Sequence, residues 1–190
     1  MNKLYFKYGT MGSGKSLQLI SIAKNYELQS KKVLILSPKI DSRTDNIFSR
    51  NGSTFPCIKF DEIEDLYIVI EKFINENIKC ILIDESQFLN KKQVYQLASV
   101  ADNLDIPVIA FGLKTNFKGE LFEGSKVLLE VADSIEEIKT VCWFCNRKAI
   151  FNMRVDKNFK KISEGDEISL GFNNYVPVCR KCFFEKKVNY

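Results

Sequence analysis

The residues best suited to chemistry form a glycine-rich run near the start of the chain. The run consists of Gly9, Thr10, Met11, Gly12, Ser13, Gly14, Lys15 and Ser16. Glycines let backbone N–H groups approach a phosphate, Lys15 can reach the β- and γ-phosphates, and the Ser16 hydroxyl can join a Mg²⁺ shell. Because the run lies between an apolar segment at 4–8 and a helical pattern, it has the context of a Walker A loop. We therefore expect a nucleoside triphosphate to bind at the N-terminus of that helix.

A second reactive group ends another apolar segment, where Asp84 and Glu85 follow residues 80–83 and precede Ser86 and Gln87. In a P-loop protein an aspartate here holds Mg²⁺, usually through water. The neighbouring Glu85 can accept a proton from an attacking oxygen, which could belong to water in an ATPase or to a substrate hydroxyl in a kinase. Since adjacent carboxylates repel, the metal is needed to keep both ionised.

Four of the six cysteines have the spacing of zinc ligands. Cys142 pairs with Cys145 and Cys179 pairs with Cys182, with 33 residues between the two pairs. Four thiolates satisfy the tetrahedral coordination of Zn²⁺ and leave no position open for water, so we predict a structural rather than a catalytic site. The other two, Cys57 and Cys80, are interpreted as unpaired cysteines, and Cys80 as a small apolar residue of a strand.

Composition removes several classes of mechanism and location. The 190 residues include no histidine, which excludes histidine bases, histidine metal ligands and histidine-dependent triads. No apolar stretch approaches the length of a membrane span, and the start of the chain lacks the layout of a signal peptide, so we expect a cytoplasmic protein with no membrane partner. The net charge of +4 gives weak support to a bound polyanion and to no particular one.

The elements that must position these groups alternate along the chain. Four short apolar runs predict strands, and their continuous apolarity is typical of parallel strands covered on both faces. Three apolar stripes predict helices, and Asp61 with Glu64 indicates a capping box that opens the second. Strands are predicted at 4–8, 33–36, 80–83 and 108–111, and helices at 17–26, 63–74 and 94–104. The alternation predicts a three-layer α/β fold with its ligand at the carboxyl ends of the strands.

The composition of the chain changes after about residue 140, where paired cysteines and many lysines occur and the helical periodicity of apolar residues ends. We interpret residues 1–140 as a P-loop nucleotide-binding domain and residues 141–190 as a small unit closed by zinc. The stretch between the cysteine pairs would form a closed loop, and such loops often carry specificity.

Five motifs occur in the order found in the type II thymidine kinases, and together they resemble that family over essentially the whole chain. They are the run from Gly9 to Ser16 and the segments 84–88, 111–113, 117–122 and 175–182. The resemblance implies a P-loop (RecA-like) parallel-sheet domain with a zinc-binding lasso. It also implies transfer of the γ-phosphate of ATP to the 5′-hydroxyl of thymidine, with deoxyuridine as a second substrate.

The resemblance implies roles for individual residues as well. Glu85 would be the general base, and Arg43 is the candidate for steadying the transferred charge. Lys15, which reaches the phosphates, completes the predicted catalytic set. The thymidine site would be formed by a larger set, in which Tyr175 contacts the sugar. That set is Met11, Leu113, Phe117, Phe122, Asn152, Gly171 and Tyr175.

Other implied properties are assembly as a homodimer or homotetramer and feedback inhibition by dTTP. The chain departs from the family pattern at Asn116, where the family usually has aspartate, and at Leu170-Gly171-Phe172, where it usually has a Gly-Gly pair. These departures concern the lasso conformation and an acidic contact at position 116.

Two other interpretations come from different classes. Residues 84–87 resemble helicase motif II, and zinc ribbons often touch nucleic acid, so a nucleic-acid-dependent ATPase is an alternative. Helicases generally need two such domains, which a chain of 190 residues is too short to hold. We therefore expect no nucleic-acid partner. A zinc-stabilised binding module with a regulatory nucleotide site is less favoured because Lys15, Ser16, Asp84 and Glu85 are all intact.

Overall fold

The computed structural model describes residues 3–39, 45–162, 164 and 175–185. Helices and strands alternate through most of this range, with short 3-10 turns at Ile74–Glu76 and Ser86–Phe88. In chain order they are β1 (Leu4–Gly9), α1 (Lys15–Leu28), β2 (Lys32–Pro38), β3 (Asn46–Phe48), β4 (Thr54–Pro56), β5 (Ile58–Phe60), α2 (Leu66–Glu71), β6 (Ile78–Ile83), α3 (Lys91–Asn103), β7 (Val108–Gly112), α4 (Glu123–Val131), β8 (Ser134–Ile138), β9 (Phe151–Arg154), β10 (Tyr175–Val178) and α5 (Arg180–Phe184).

The central sheet has six strands in the order β5-β2-β6-β7-β1-β8, and every pairing is parallel. The α/β fold class and the four predicted strands are confirmed, as β1, β2, β6 and β7. Neither edge strand of the sheet, β5 or β8, is predicted from the sequence. Strand β5 has three residues, and β8 carries two glutamates in its sequence Ser-Ile-Glu-Glu-Ile, so neither gives a continuous apolar run.

Burial on both faces of the sheet explains the continuous apolar runs. In β6, Ile81 and Ile83 belong to the core formed with α2, α3 and α4, whereas Cys80 and Leu82 belong to the core formed with α1. Both sets are fully buried. Burial raises the pKa of the Cys80 thiol to about 12, as expected for a cysteine that acts as an apolar core residue.

The predicted capping box at Asp61 is wrong as the start of a helix. The Glu64 carboxylate does accept the Asp61 N–H at 2.5 Å, but α2 begins at Leu66. Its cap is Asp65, whose side chain accepts the N–H groups of Tyr67 and Ile68. The Asp61 side chain is instead paired with Lys39, so it does not cap α2. A true capping box, Asn90 with Gln93, opens α3.

Two antiparallel hairpins complete the description. The first, β3 with β4, is attached to the main domain through Ile47, which is 3% exposed and packs with the core residues of α1. The second, β9 with β10, carries α5 and has a small core of its own. Within the described ranges, no helix has both the length and the apolarity needed to cross a membrane.

Candidate active site

The glycine-rich run forms the turn that connects β1 to α1 at the carboxyl edge of the sheet. Gly12 and Gly14 have φ angles of 75° and 90°, in the left-handed region that favours glycine. A Cβ at Gly9 would fall 2.4 Å from Ser13 Oγ and 2.7 Å from the carbonyl oxygen of Ile138, so a side chain there would require the turn or β8 to move. The geometry is that of an anion-binding loop at the start of a helix.

Lys15 is buried, with 8% of its surface exposed, and its Nζ donates to the carbonyl oxygen of Thr10 at 3.0 Å. Burial lowers the pKa of Lys15, while the nearby carboxylates of Glu85 and Asp84 oppose that effect. The ammonium therefore lies inside the loop, where an anion would compensate its lost hydration.

Asp84 lies at the end of β6 and is also buried. Its Oδ2 accepts a hydrogen bond from the Ser16 hydroxyl at 3.4 Å, and its Oδ1 is buried with no hydrogen-bond partner within the described part of the chain. Burial, followed by repulsion from Glu85, raises the pKa of Asp84 to about 7. A buried carboxylate oxygen without a partner, next to a hydroxyl, is the oxygen donor set that Mg²⁺ prefers.

Glu85 has a φ angle of 48°, a left-handed conformation that is uncommon for a residue with a side chain. Gln87 fixes its carboxylate, because Gln87 Nε2 donates to Glu85 Oε2 at 2.5 Å while Gln87 Oε1 accepts the Leu113 N–H at 2.9 Å. The backbone directly after β7 thus orients the amide of Gln87, and the amide orients Glu85. Ser86 packs where β7 ends, since a Cβ at Gly112 would lie 2.5 Å from its Oγ.

These groups line one cavity of about 580 Å³. The Walker loop forms its floor, Asp84 and Glu85 one side, and the β3–β4 hairpin another. The lining residues are Met11, Gly12, Gly14, Lys15, Ser16, Leu17, Ser37, Asn46, Ile47, Phe48, Ser49, Arg50, Asn51, Lys59, Asp84, Glu85 and Leu113. The cavity therefore combines the phosphate loop, both acids and two residues, Met11 and Leu113, that the sequence analysis assigned to the acceptor.

One face of β9 connects the Walker loop to the acceptor residues. The Met11 N–H donates to Asn152 Oδ1 at 2.7 Å, across 141 positions of the chain. Arg154 lies two residues further along the same face, with its guanidinium 5.5 Å from the centre of the Phe117 ring. Tyr175 lies opposite Arg154 in the register of β9 and β10. The pair of strands β9 and β10 thus brings together four residues that are far apart in sequence, namely Met11, Phe117, Asn152 and Tyr175.

The other predicted acceptor residues follow β7. Phe117 is 2% exposed, and Phe122 is the N-cap of α4 with its ring edge-on to Phe88 at a centroid distance of 5.8 Å. Arg43 and Gly171 lie outside the described residues. The roles assigned to all the site residues remain predictions.

Asn116 organises the loop that carries Phe117. Its Oδ1 accepts the N–H groups of Lys118 and Glu120, each at 3.0 Å, and its Nδ2 donates to the Glu120 carboxylate at 3.3 Å. An aspartate could accept the first two bonds but could not donate the third. Asparagine at this position therefore makes one side-chain contact within the loop that an aspartate would lack.

The four paired cysteines converge, as their spacing predicts. Their sulfur atoms all lie within 4.8 Å of one another, and Cys145 Sγ is 3.6 Å from Cys179 Sγ. Tetrahedral Zn–S bonds would separate the sulfurs by about 3.8 Å. Thiolates this close would repel without a cation, so the donor set fits a metal ion. Cys145 lies in the loop before β9, whereas Cys179 is the N-cap of α5.

Sequence reasoning missed two arginines. Arg50 lines the cavity, and Arg154 contacts Phe117. The Asn51-Gly52 dipeptide is a turn signal that would have placed Arg50 in a hairpin. No local signal shows that this hairpin lies over the Walker loop.

The parallel sheet, the phosphate loop and the acids at the strand ends define a P-loop nucleotide-binding protein with a cysteine-rich unit that could hold a metal ion. Comparison with known proteins shows which family of P-loop proteins the chain belongs to.

The family model described as thymidine kinase matches residues 2–183. Thymidine kinase of Shouchella clausii is 48% identical over 185 residues, covering 96% of each chain. Thymidine kinase of Lactococcus lactis is 46% identical over 191 residues, covering 99% of this chain and all of its own. That of Streptococcus gordonii is 47% identical over 192 residues, with both chains fully covered. The chain therefore belongs to the thymidine kinase family, and thymidine kinase is its enzyme class.

Proposed function

We propose that the protein transfers the γ-phosphate of ATP to the 5′-hydroxyl of thymidine, giving thymidine monophosphate, and that deoxyuridine is a second substrate. The observation that carries this proposal is the shared cavity, in which Lys15, Asp84 and Glu85 lie with Met11 and Leu113. Phosphoryl transfer depends on positioning and charge stabilisation, and this cavity offers both next to a proton acceptor.

The Walker loop binds the donor. Its backbone N–H groups and Lys15 meet the charge of the β- and γ-phosphates, and the phosphate charge compensates the hydration that the buried ammonium has lost. Ser16 and Asp84 would hold Mg²⁺, which when bound neutralises charge on the phosphate oxygens. Arg43 is kept as a candidate for stabilising the transferred group.

Glu85 is the general base. Its carboxylate accepts the proton of the 5′-hydroxyl as that oxygen attacks, and Gln87 limits the rotation that would turn the carboxylate away. The left-handed backbone at Glu85 directs its side chain to the cavity side of the strand edge, because residues 84 and 85 both line that cavity.

The thymine ring binds between the Walker loop and the hairpin of the second unit. Met11, Leu113, Phe117 and Phe122 provide apolar surface, and Asn152, Gly171 and Tyr175 complete the site. The Met11–Asn152 hydrogen bond supports this assignment, because it joins the donor loop to the strand that faces Phe117.

We also propose a domain division, an assembly state and a location for the protein. The chain divides into a P-loop domain at 1–140 and a lasso domain at 141–190, the latter held by structural Zn²⁺ on Cys142, Cys145, Cys179 and Cys182. The enzyme works as a homotetramer or homodimer, is inhibited by dTTP and is located in the cytoplasm, where cysteines stay reduced.

The test is ATP turnover measured with thymidine, with single-stranded DNA, and with neither. Formation of thymidine monophosphate that requires both ATP and thymidine supports the proposal. Turnover stimulated by DNA alone would exclude it in favour of an ATPase.

Replacing Glu85 tests the base. We expect Glu85→Gln to keep ATP affinity and to reduce kcat by about 100-fold or more, because the amide cannot accept the proton. Lys31→Ala, in the loop that follows the C-terminal end of α1, serves as a control with an exposed side chain. An unchanged kcat in Glu85→Gln would remove Glu85 from this role.

A further inference from the structure

Arg50 is a cation at the mouth of the nucleotide cavity that the mechanism above does not use. It lies so close to the Walker loop that a Cβ built at Gly12 would be 3.2 Å from its Nη1. Gly12 is one of the residues whose backbone surrounds the phosphate position in such loops. A guanidinium this close to the loop is within reach of whatever the loop binds.

The position of Arg50 is fixed by the hairpin that carries it. Ser49, Arg50, Asn51 and Gly52 form a turn closed by the Gly52 N–H to Ser49 carbonyl bond at 2.9 Å, and Ser49 also donates to the Ser53 carbonyl at 2.8 Å. The Asn51 side chain accepts the Ser53 N–H at 3.1 Å. Because Ile47 is buried against α1, the base of the hairpin is anchored to the main domain. The turn therefore holds Arg50 over the loop.

The guanidinium of Arg50 faces the cavity without a carboxylate partner in the part of the chain that the structure describes. Arg50 and Lys15 line the same cavity, so the guanidinium adds a second positive charge beside the loop. Two cations that repel each other across the loop are stabilised together by an anion between them.

We propose that Arg50 is a polyphosphate-binding residue, whose guanidinium contacts the terminal phosphates of the triphosphate held by the Walker loop. A guanidinium can donate two parallel hydrogen bonds to phosphate oxygens, whereas the ammonium of Lys15 acts as a point charge. The β3–β4 hairpin is then part of the donor site. This inference rests on the proposed ATP site and adds a residue to it.

The test measures the affinities for ATP, ADP and AMP, each with Mg²⁺, together with the KM for thymidine. The variants are Arg50→Ala, Arg50→Lys and Lys15→Ala, and Lys31→Ala is the matched control. Lys31→Ala removes the same charge from an exposed site beyond the far end of α1, a helix whose 14 residues span about 20 Å. We expect Arg50→Ala to lower the affinity for ATP about tenfold. The affinity for AMP and the KM for thymidine should both stay within about twofold of wild type. The ATP affinity of Arg50→Lys should lie between those of wild type and Arg50→Ala. Lysine keeps the positive charge but loses the two parallel N–H donors of the guanidinium.

The outcomes separate this inference from the proposed function. If Lys15→Ala lowers the affinity for ATP and Arg50→Ala does not, the inference about Arg50 is wrong, while the proposed ATP site is supported. If Arg50→Ala weakens ATP and AMP equally, Arg50 does not read the terminal phosphates. If neither variant weakens ATP, the triphosphate does not bind at the Walker loop and both proposals fail. Weakening of ATP by Lys31→Ala to the same extent would assign the effect to net charge alone.

Discussion

Asp84→Asn should make the ligand-free protein more stable while it disables the enzyme. Asp84 is 5% exposed, its Oδ1 has no hydrogen-bond partner among the described residues, and its pKa is raised to about 7. The ionised side chain is therefore unfavourable in the folded protein. Asparagine has nearly the same shape and carries no charge to desolvate.

The size of the effect follows from the pKa of Asp84. A rise from about 4 in the unfolded chain to about 7 costs the folded protein about 4 kcal/mol above pH 7, at about 1.4 kcal/mol per pKa unit. In the variant, Lys15 loses its attraction to the Asp84 carboxylate, and this loss offsets part of the stabilisation. We expect a net stabilisation of about 2 kcal/mol at pH 8, or about 4–8 °C in Tm for a chain of this size.

The pH dependence has a definite sign. Because the folded-state pKa of Asp84 lies above the unfolded one, the folded protein holds this proton more tightly, and the cost of Asp84 grows as the pH rises from about 4 to about 7. The advantage of Asp84→Asn should therefore be complete above pH 7 and fall to about 1 kcal/mol or less at pH 5.

The assay is thermal unfolding at pH 5 and pH 8, in the presence of EDTA and without nucleotide. Asp102→Asn, an exposed position on α3, is the matched control and should change Tm by less than about 1 °C at either pH. Thymidine phosphorylation by Asp84→Asn should fall by about 100-fold or more. The reasoning is refuted if Asp84→Asn is no more stable than wild type at pH 8, or if its advantage is the same at both pH values.

Two further predictions concern the metal unit and the loop at Asn116. The protein should contain one zinc per chain, and Cys179→Ser should lose most of it while the control Cys57→Ser keeps it, as measured by metal analysis of the purified proteins; zinc-free wild type would contradict the four-cysteine site. Asn116→Asp should lower the stability by about 1 kcal/mol at pH 8, because it loses the donor to Glu120 and places two carboxylates together, and Glu120→Gln in the same chain should restore it. Equal melting temperatures for Asn116→Asp and wild type would show that this contact does not matter.

Several features could be predicted because their causes are local in the sequence. The four central strands are continuous apolar runs, and burial on both faces is what makes them so. The Walker loop combines glycines with Lys15 and Ser16 in a fixed order, and the four cysteines need only be brought together in space. The error at Asp61 has a tertiary cause, because the side chain that could have capped a helix is paired with Lys39 on the loop after β2.

The amino-acid sequence by itself determined the fold class, the phosphate loop, the acidic pair, the cysteine ligand set and the family resemblance. Each depends on residue types at short, regular spacing. Only the tertiary structure decided how these parts meet: Met11 with Asn152 across 141 positions, Gln87 between Glu85 and β7, and Arg50 over Gly12. Such contacts are set by the packing of separate elements against one another, and no short segment of the chain encodes them.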